Sequence, residues 1–159
     1  RGELIRAGTN WDVIEENRRR MIKECPDVYF EITPTVSIMN VYHLPDFHKE
    51  WIDKGLLEPQ NVRMNILTYP TEYRIQIIPP KERKKFVDKY EKHIKWIGDN
   101  FGDGAAKRGF ESVLDFLQQE NYENLVPDFI DRNTPLDKLR GESLYQVAPE
   151  LEFFRDYEY

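Results

Sequence analysis

The order of hydrophobic periods predicts an α/β first half followed by a helical annex. Helix-period and strand-period segments alternate up to about residue 98, in the order α-β-α-β-(β)-α. Strand-like runs joined by helix-length segments favour βαβ units and a parallel sheet. Beyond the GDG at 102–104 only helical periods recur. The expected division is therefore residues 1–98 for the α/β part and 99–159 for the annex.

The elements follow from local chemistry. Thr9 and Asp12 have capping-box spacing ahead of WDVIEENRRRMIKE, where Trp11, Ile14, Arg18, Met21 and Ile22 share one stripe. The stem of Arg18 is expected to lie along that apolar stripe. Pro26 closes this helix. VYFEIT and TVSIMNVY are rich in β-branched and aromatic residues, as strands are, with Pro34 marking an edge, a bulge or a join. A helix begins at Pro45, carries Asp46 near its positive end and stops before Gly55. VRMNILTY and YRIQII are two further strand candidates, separated by Pro70. Phe86, Tyr90, Ile94, Ile97 and Phe101 then mark a long helix, and Phe110, Val113, Leu114 and Leu117 another. A short helix near Leu125–Ile130 follows. Thr134 and Pro135 start a last one, which ends at Gly141. The tail SLYQVAPELEFFRDYEY has no clear period. No internal repeat or low-complexity linker is present.

A chain of 159 residues suffices for one buried core, and its 13% aromatic content argues against disorder despite 33% charged residues. The formal charge of −6 disfavours nucleic acid and anionic membranes as partners. No apolar run approaches the roughly 20 residues that span a bilayer. The lone cysteine, Cys25, excludes an internal disulfide and fits a reducing, cytoplasmic setting. The chain begins at Arg1 rather than Met, which suggests a piece of something longer.

Most chemical candidates are weak. His43, Asp46 and His48 are close in sequence but match no zinc spacing, and His93 borders an apolar stripe, where a half-buried structural role is expected. Cys25 ends a helix, where the dipole disfavours a thiolate. No GxGxxG, GxxxxGK[ST] or GxSxG is present, and DNFGDGAAKRGF joins two helices as a connector. The acidic pairs suit a solvated face. Polar residues on strands say more: Thr35 and Ser37 share one face, Arg63 and Asn65 another, and Asn40 ends its strand. Such a face is either a ligand-bearing concave wall or an open, solvated sheet surface.

Three stretches resemble the C-terminal half of twitch-domain radical S-adenosylmethionine (radical SAM) proteins. IRAGTNWDVIEENRRRM is similar to the helix after the fourth barrel strand. PTVSIMNVYHLPDFHKEWIDKGLL with VRMNILTYPTEYRIQIIPP is similar to the fifth and sixth strands and their crossover. NTPLDKLRGESLYQVAPEL is similar to the closing segment. The resemblance implies a partial (β/α) barrel, a half-barrel of parallel strands, with the helical annex behind it. It also implies S-adenosylmethionine and a [4Fe–4S] cluster in the full-length protein, with Ser37, Asn40 and Asn65 on the cofactor and substrate wall. The family's cluster motif, CxxxCxxC, is absent, so no cofactor is expected to be held by this chain alone and no radical chemistry is expected of it. The implied partners are the N-terminal half of the barrel and an unidentified peptide or small-molecule substrate. Self-association is a further way to cover open strand edges. A non-enzymatic α/β interaction module, using the aromatics of LEFFRDYEY, is the alternative. A metal hydrolase on His43, Asp46 and His48 is a more distant one.

Overall fold

Capping side chains and glycines set the helix boundaries. The structure is a computed structural model that describes residues 2–157. After a single turn, α1 (Gly2–Ile5), the helix α2 (Trp11–Glu24) is started by Asn10, not Thr9: the Asn10 side chain accepts from the Val13 amide at 3.1 Å. β1 (Thr35–Val36) leads through a tight turn into α3 (Leu44–Asp53), with Pro45 in its first turn and Gly55 just beyond at φ +68°. β2 (Asn65–Ile66) and two short 3₁₀ turns over 71–77 precede the long α4 (Pro80–Phe101). Gly102, at φ +74°, reverses the chain into α5 (Ala105–Gln118), whose first turn is capped by Gln60 Oε1 on the Ala106 amide.

One helix, α6 (Val126–Arg140), stands where two short ones are expected. Pro135 lies inside it without ending it, and Gly141 stops it in the left-handed region at φ +64°. α7 (Leu144–Val147) and a 3₁₀ helix over Pro149–Tyr157 finish the described chain. That tail is not an exposed aromatic surface: Leu151 and Phe154 are fully buried. Glu158 and Tyr159 lie outside the described residues.

The expected half-barrel does not form. The chain is 64% helical with one small sheet of two short parallel strands, a mostly helical fold and not a partial barrel with an annex. β1 and β2 do run parallel, with Thr35 opposite Asn65 and Val36 opposite Ile66, and α3 makes the crossover between them. A single bridge, Ile32 to Val62, extends the pairing backwards.

Each missing strand has a local cause. In VYFEIT, Val28 and Tyr29 are exposed and only Ile32 finds a partner. In TVSIMN the ladder stops at Val36 because the Asn40 side chain folds the chain back. In YRIQII, Ile75, Ile77 and Ile78 are fully buried, yet as tight turns. Part of their polar backbone is served by Arg83 in place of a neighbouring strand: the guanidinium donates to the carbonyls of Gln76 and Ile78, and to those of Gln119 and Glu120 just past α5, all at 2.9 Å, while the Tyr122 amide also donates to Gln76. A buried apolar run needs its carbonyls paired, and one guanidinium fork does this as well as a ladder.

The main core draws on both sides of residue 98, from Val36, Ile38 and Val41 through Phe86, Tyr90 and Phe110 to Phe129 and Phe154. A second cluster of Trp51, Leu56 and Leu57 takes in Trp11, Ile14, Phe30 and Phe47, and so joins α2 to α3. No residue of α2 is fully buried; Arg18 secures it by donating to the Leu56 carbonyl at 2.8 Å and lying 3.7 Å over the Phe30 ring.

Replacing Arg83 tests the substitute ladder. Arg83→Met keeps the stem but leaves the Ile78 carbonyl without its donor and the Gln76 carbonyl with only the Tyr122 amide, and should lower the unfolding free energy in urea by about 1–2 kcal/mol. Arg83→Lys, with no fork, should recover less than half of the loss.

Candidate functional site

Asn40 builds the turn that ends β1. Its Oδ1 accepts from the Ser37 amide at 2.9 Å, while its Nδ2 donates back to the Thr35 carbonyl at 2.9 Å. Ser37 Oγ accepts from the Met39 amide at 3.3 Å, and the Val41 amide donates to the Ser37 carbonyl. Ser37 and Asn40 are thus brought together, as expected, and both are tied to backbone. Asn65 lies one strand away. Its amide donates to the Pro34 carbonyl at 3.1 Å, while its side chain stands on the exposed face with Thr35 opposite. With Arg63 also exposed and paired to Glu31, this face is the solvated sheet surface.

Beside the Asn40 turn is a cleft of about 470 Å³. Gly2 and Glu3 of α1, Trp11 of α2, and Leu44, Phe47 and Glu50 of α3 form its walls, with Pro34, Asn40 and His43 closing the β1 end. Trp11, Phe47 and Trp51 hold one another with ring centroids 5.0–5.8 Å apart. Sequence reading placed Trp11 on an inward stripe but had no signal that α1 would bring Glu3 to the same place.

The histidines do not gather around a metal. Asp46 turns to Lys89 at 2.5 Å, and among the described residues no group of three or more His, Cys, Asp or Glu could hold a metal ion. His48, only 1% exposed, instead meets His93 from α4, with Nδ1 and Nε2 3.0 Å apart. The other His48 nitrogen, Nε2, lies 2.9 Å from the Pro59 carbonyl, which can only accept. Nε2 therefore carries the His48 proton, and His93 donates to Nδ1. Phe110 packs against both rings and Trp96 stacks on His93 at 5.3 Å. Burial holds both imidazoles below their ordinary range, His93 to about 3, and a second cation at His48 would oppose its charging further. His93 is buried more deeply than its position at the edge of a stripe suggests.

The residues present do not fit an iron–sulfur cluster. Such a cluster takes three or four thiolates, and the one thiol, Cys25, is exposed at the C-terminal end of α2. Among the described residues no helix is long and apolar enough to cross a membrane. Comparison with family profiles, with curated proteins and with solved structures finds no match.

The histidine pair fixes a pH dependence. The unfolded chain takes up protons near pH 6.5, whereas folded His93 resists until about 3, so stability is full above 6.5 and falls as pH drops. Between pH 6.5 and 5 this group alone should remove about 2 kcal/mol. The difference between wild type and His93→Gln, which keeps a donor to His48, should show that slope in urea titrations at the two pH values.

Proposed function

We propose that this chain is a non-catalytic portion of a radical S-adenosylmethionine enzyme, and that it works by docking onto the polypeptide that carries the CxxxCxxC motif. The observation that supports this reading is the open edge of β1. Ile32, Pro34 and Val36 turn their backbone groups to β2. By strand alternation, Glu31 and Thr33 turn theirs the other way, as does Thr35, whose carbonyl accepts from Asn40 Nδ2 and so closes the edge at that end. Among the described residues no strand pairs on that side, and the sheet stops at two. The opposite edge is covered near Met64, where Gly109 of α5 comes so close that a Cβ there would lie 3.1 Å from Met64 Cγ.

An unpaired strand edge is a template for one more strand. A parallel strand of the cluster-bearing polypeptide seated on β1 would place that polypeptide against Ser37 and Asn40 of the turn, two of the residues that the family resemblance puts on the cofactor wall, with Asn65 on the far strand. S-adenosylmethionine belongs to the assembled enzyme in this reading. No radical step is ascribed to the chain itself.

The same edge suits an interaction module with no link to radical chemistry, so the test separates the two. The chain is co-expressed with the CxxxCxxC-bearing segment, whether that is encoded in frame upstream of it or as a separate polypeptide, and the pair is reconstituted with iron and sulfide without oxygen. The expected result is a stable complex that cleaves S-adenosylmethionine. Thr33→Pro, which removes only an outward-facing amide, should weaken the complex by about tenfold or more while leaving the melting temperature of the isolated chain nearly unchanged. Absence of any such polypeptide, or a complex indifferent to Thr33→Pro, overturns the proposal.

A further inference from the structure

The cleft beside α1 carries an inference independent of strand docking. We infer that it binds a small organic cation with a quaternary ammonium head. Its volume of about 470 Å³ lies in the range of small-molecule sites. The walls combine two aromatic rings, Trp11 and Phe47, with two carboxylates, Glu3 and Glu50. Among the described residues no lysine or arginine lines it.

The aromatic side is pre-organised. Trp51, 3% exposed, backs both rings. The Trp11 amide donates to Glu3 Oε1 at 3.1 Å, which ties the start of α2 to the carboxylate across from Glu50. Residue 2 is glycine where a Cβ would lie 3.3 Å from the Trp11 ring, so a larger residue would crowd the indole.

Charge selects the class of ligand. Two carboxylates in one cleft repel an anion, and burying them under a neutral apolar ligand would strip water from them without compensation. Lys54 relieves them only in part, because its ammonium is shared between Glu50 at 2.5 Å and Glu15 at 2.7 Å, outside the cleft. A metal is not favoured, since no three-ligand group is present among the described residues. A primary ammonium needs several free acceptors, yet Glu3 already accepts from the Trp11 amide, Glu50 from Lys54, and the Asn40 amide is engaged in its turn. A quaternary ammonium needs none: it presents methyl groups to the rings and spreads its charge toward the carboxylates.

The probe is choline, with 3,3-dimethylbutan-1-ol as its uncharged isostere. Both are titrated into the full chain at pH 8, above the usual imidazole range, and followed by tryptophan fluorescence and by calorimetry. Choline should bind saturably and about tenfold more tightly than the isostere. Glu50→Gln and Phe47→Leu should each weaken it about fivefold, with far-UV circular dichroism unchanged, while Glu123→Gln, distant from the cleft, should not. Equal affinity for the isostere, or no saturable binding of choline, overturns the inference. The isolated chain suffices for the titration, so its outcome leaves the docking reading untouched.

Discussion

Two buried polar contacts tie the βαβ unit to the helical hairpin, and most of the molecule depends on them. Tyr90 of α4, fully buried, donates to the Val41 carbonyl at 2.7 Å, in the turn that ends β1. Three residues on, one helical turn along the same face, His93 meets His48 of α3. Each contact satisfies a group that would otherwise be stranded in a dry interior, and each needs α4 at one height and one rotation. Burial drives the Tyr90 hydroxyl well above its ordinary pKa, so it stays a donor at any pH at which the protein is folded. The hydrophobic surface between these elements supplies the bulk of the attraction; the two polar contacts select the register.

That register decides which surfaces remain available. With α4 fixed on α3 and the β1 turn, α5 follows across the Gly102 reversal and lies over Met64 at the outer edge of β2. Tyr73, Phe129 and Phe154 then bring α6 and the last 3₁₀ helix onto the same core. Near the end of β1, the cleft draws its walls from α1, α2 and α3. The aromatic cleft meets the β1 segment at Pro34 and Asn40.

Much of the helical frame was legible in the sequence, because its signals are local. Pro45 and Gly55 bracket α3, the Phe86–Ile97 stripe marks α4, and Gly102 and Gly141 both take the positive φ that a helix stop requires. The parallel pairing of β1 and β2 across α3 was legible, but the extent of the strands was not, since strand propensity reports a side chain suited to burial, not a paired backbone. Ile75, Ile77 and Ile78 have the composition of a core strand and the burial of one. What they lack is a neighbour, and the neighbour's role falls to Arg83, close in sequence but readable only in three dimensions. Pro135 misled for the complementary reason: a proline removes only one amide, and α6, packed by Phe129 and Asn133 on one face before it, runs on to a stop at Gly141.

The candidate site divides the same way. The pairing of Ser37 with Asn40 lies within four residues, although the family resemblance had grouped them for a cofactor wall and not for this turn. Their use is different from a ligand wall standing by itself: an amide that bonds Thr35 and Ser37 at once is the reason β1 ends where it does. The cleft, by contrast, is assembled from four stretches of chain, 2–3, 11, 34–44 and 47–50, and no one of them announces it. Its chemistry emerges only when Glu3 and Glu50 face the same rings. A helix with no fully buried residue would gain little by folding onto α3 for packing alone. That α2 nonetheless holds Trp11 against Phe47 and Trp51, through the Arg18 and Lys54 contacts further along, is the arrangement expected of an element retained to shape a cleft.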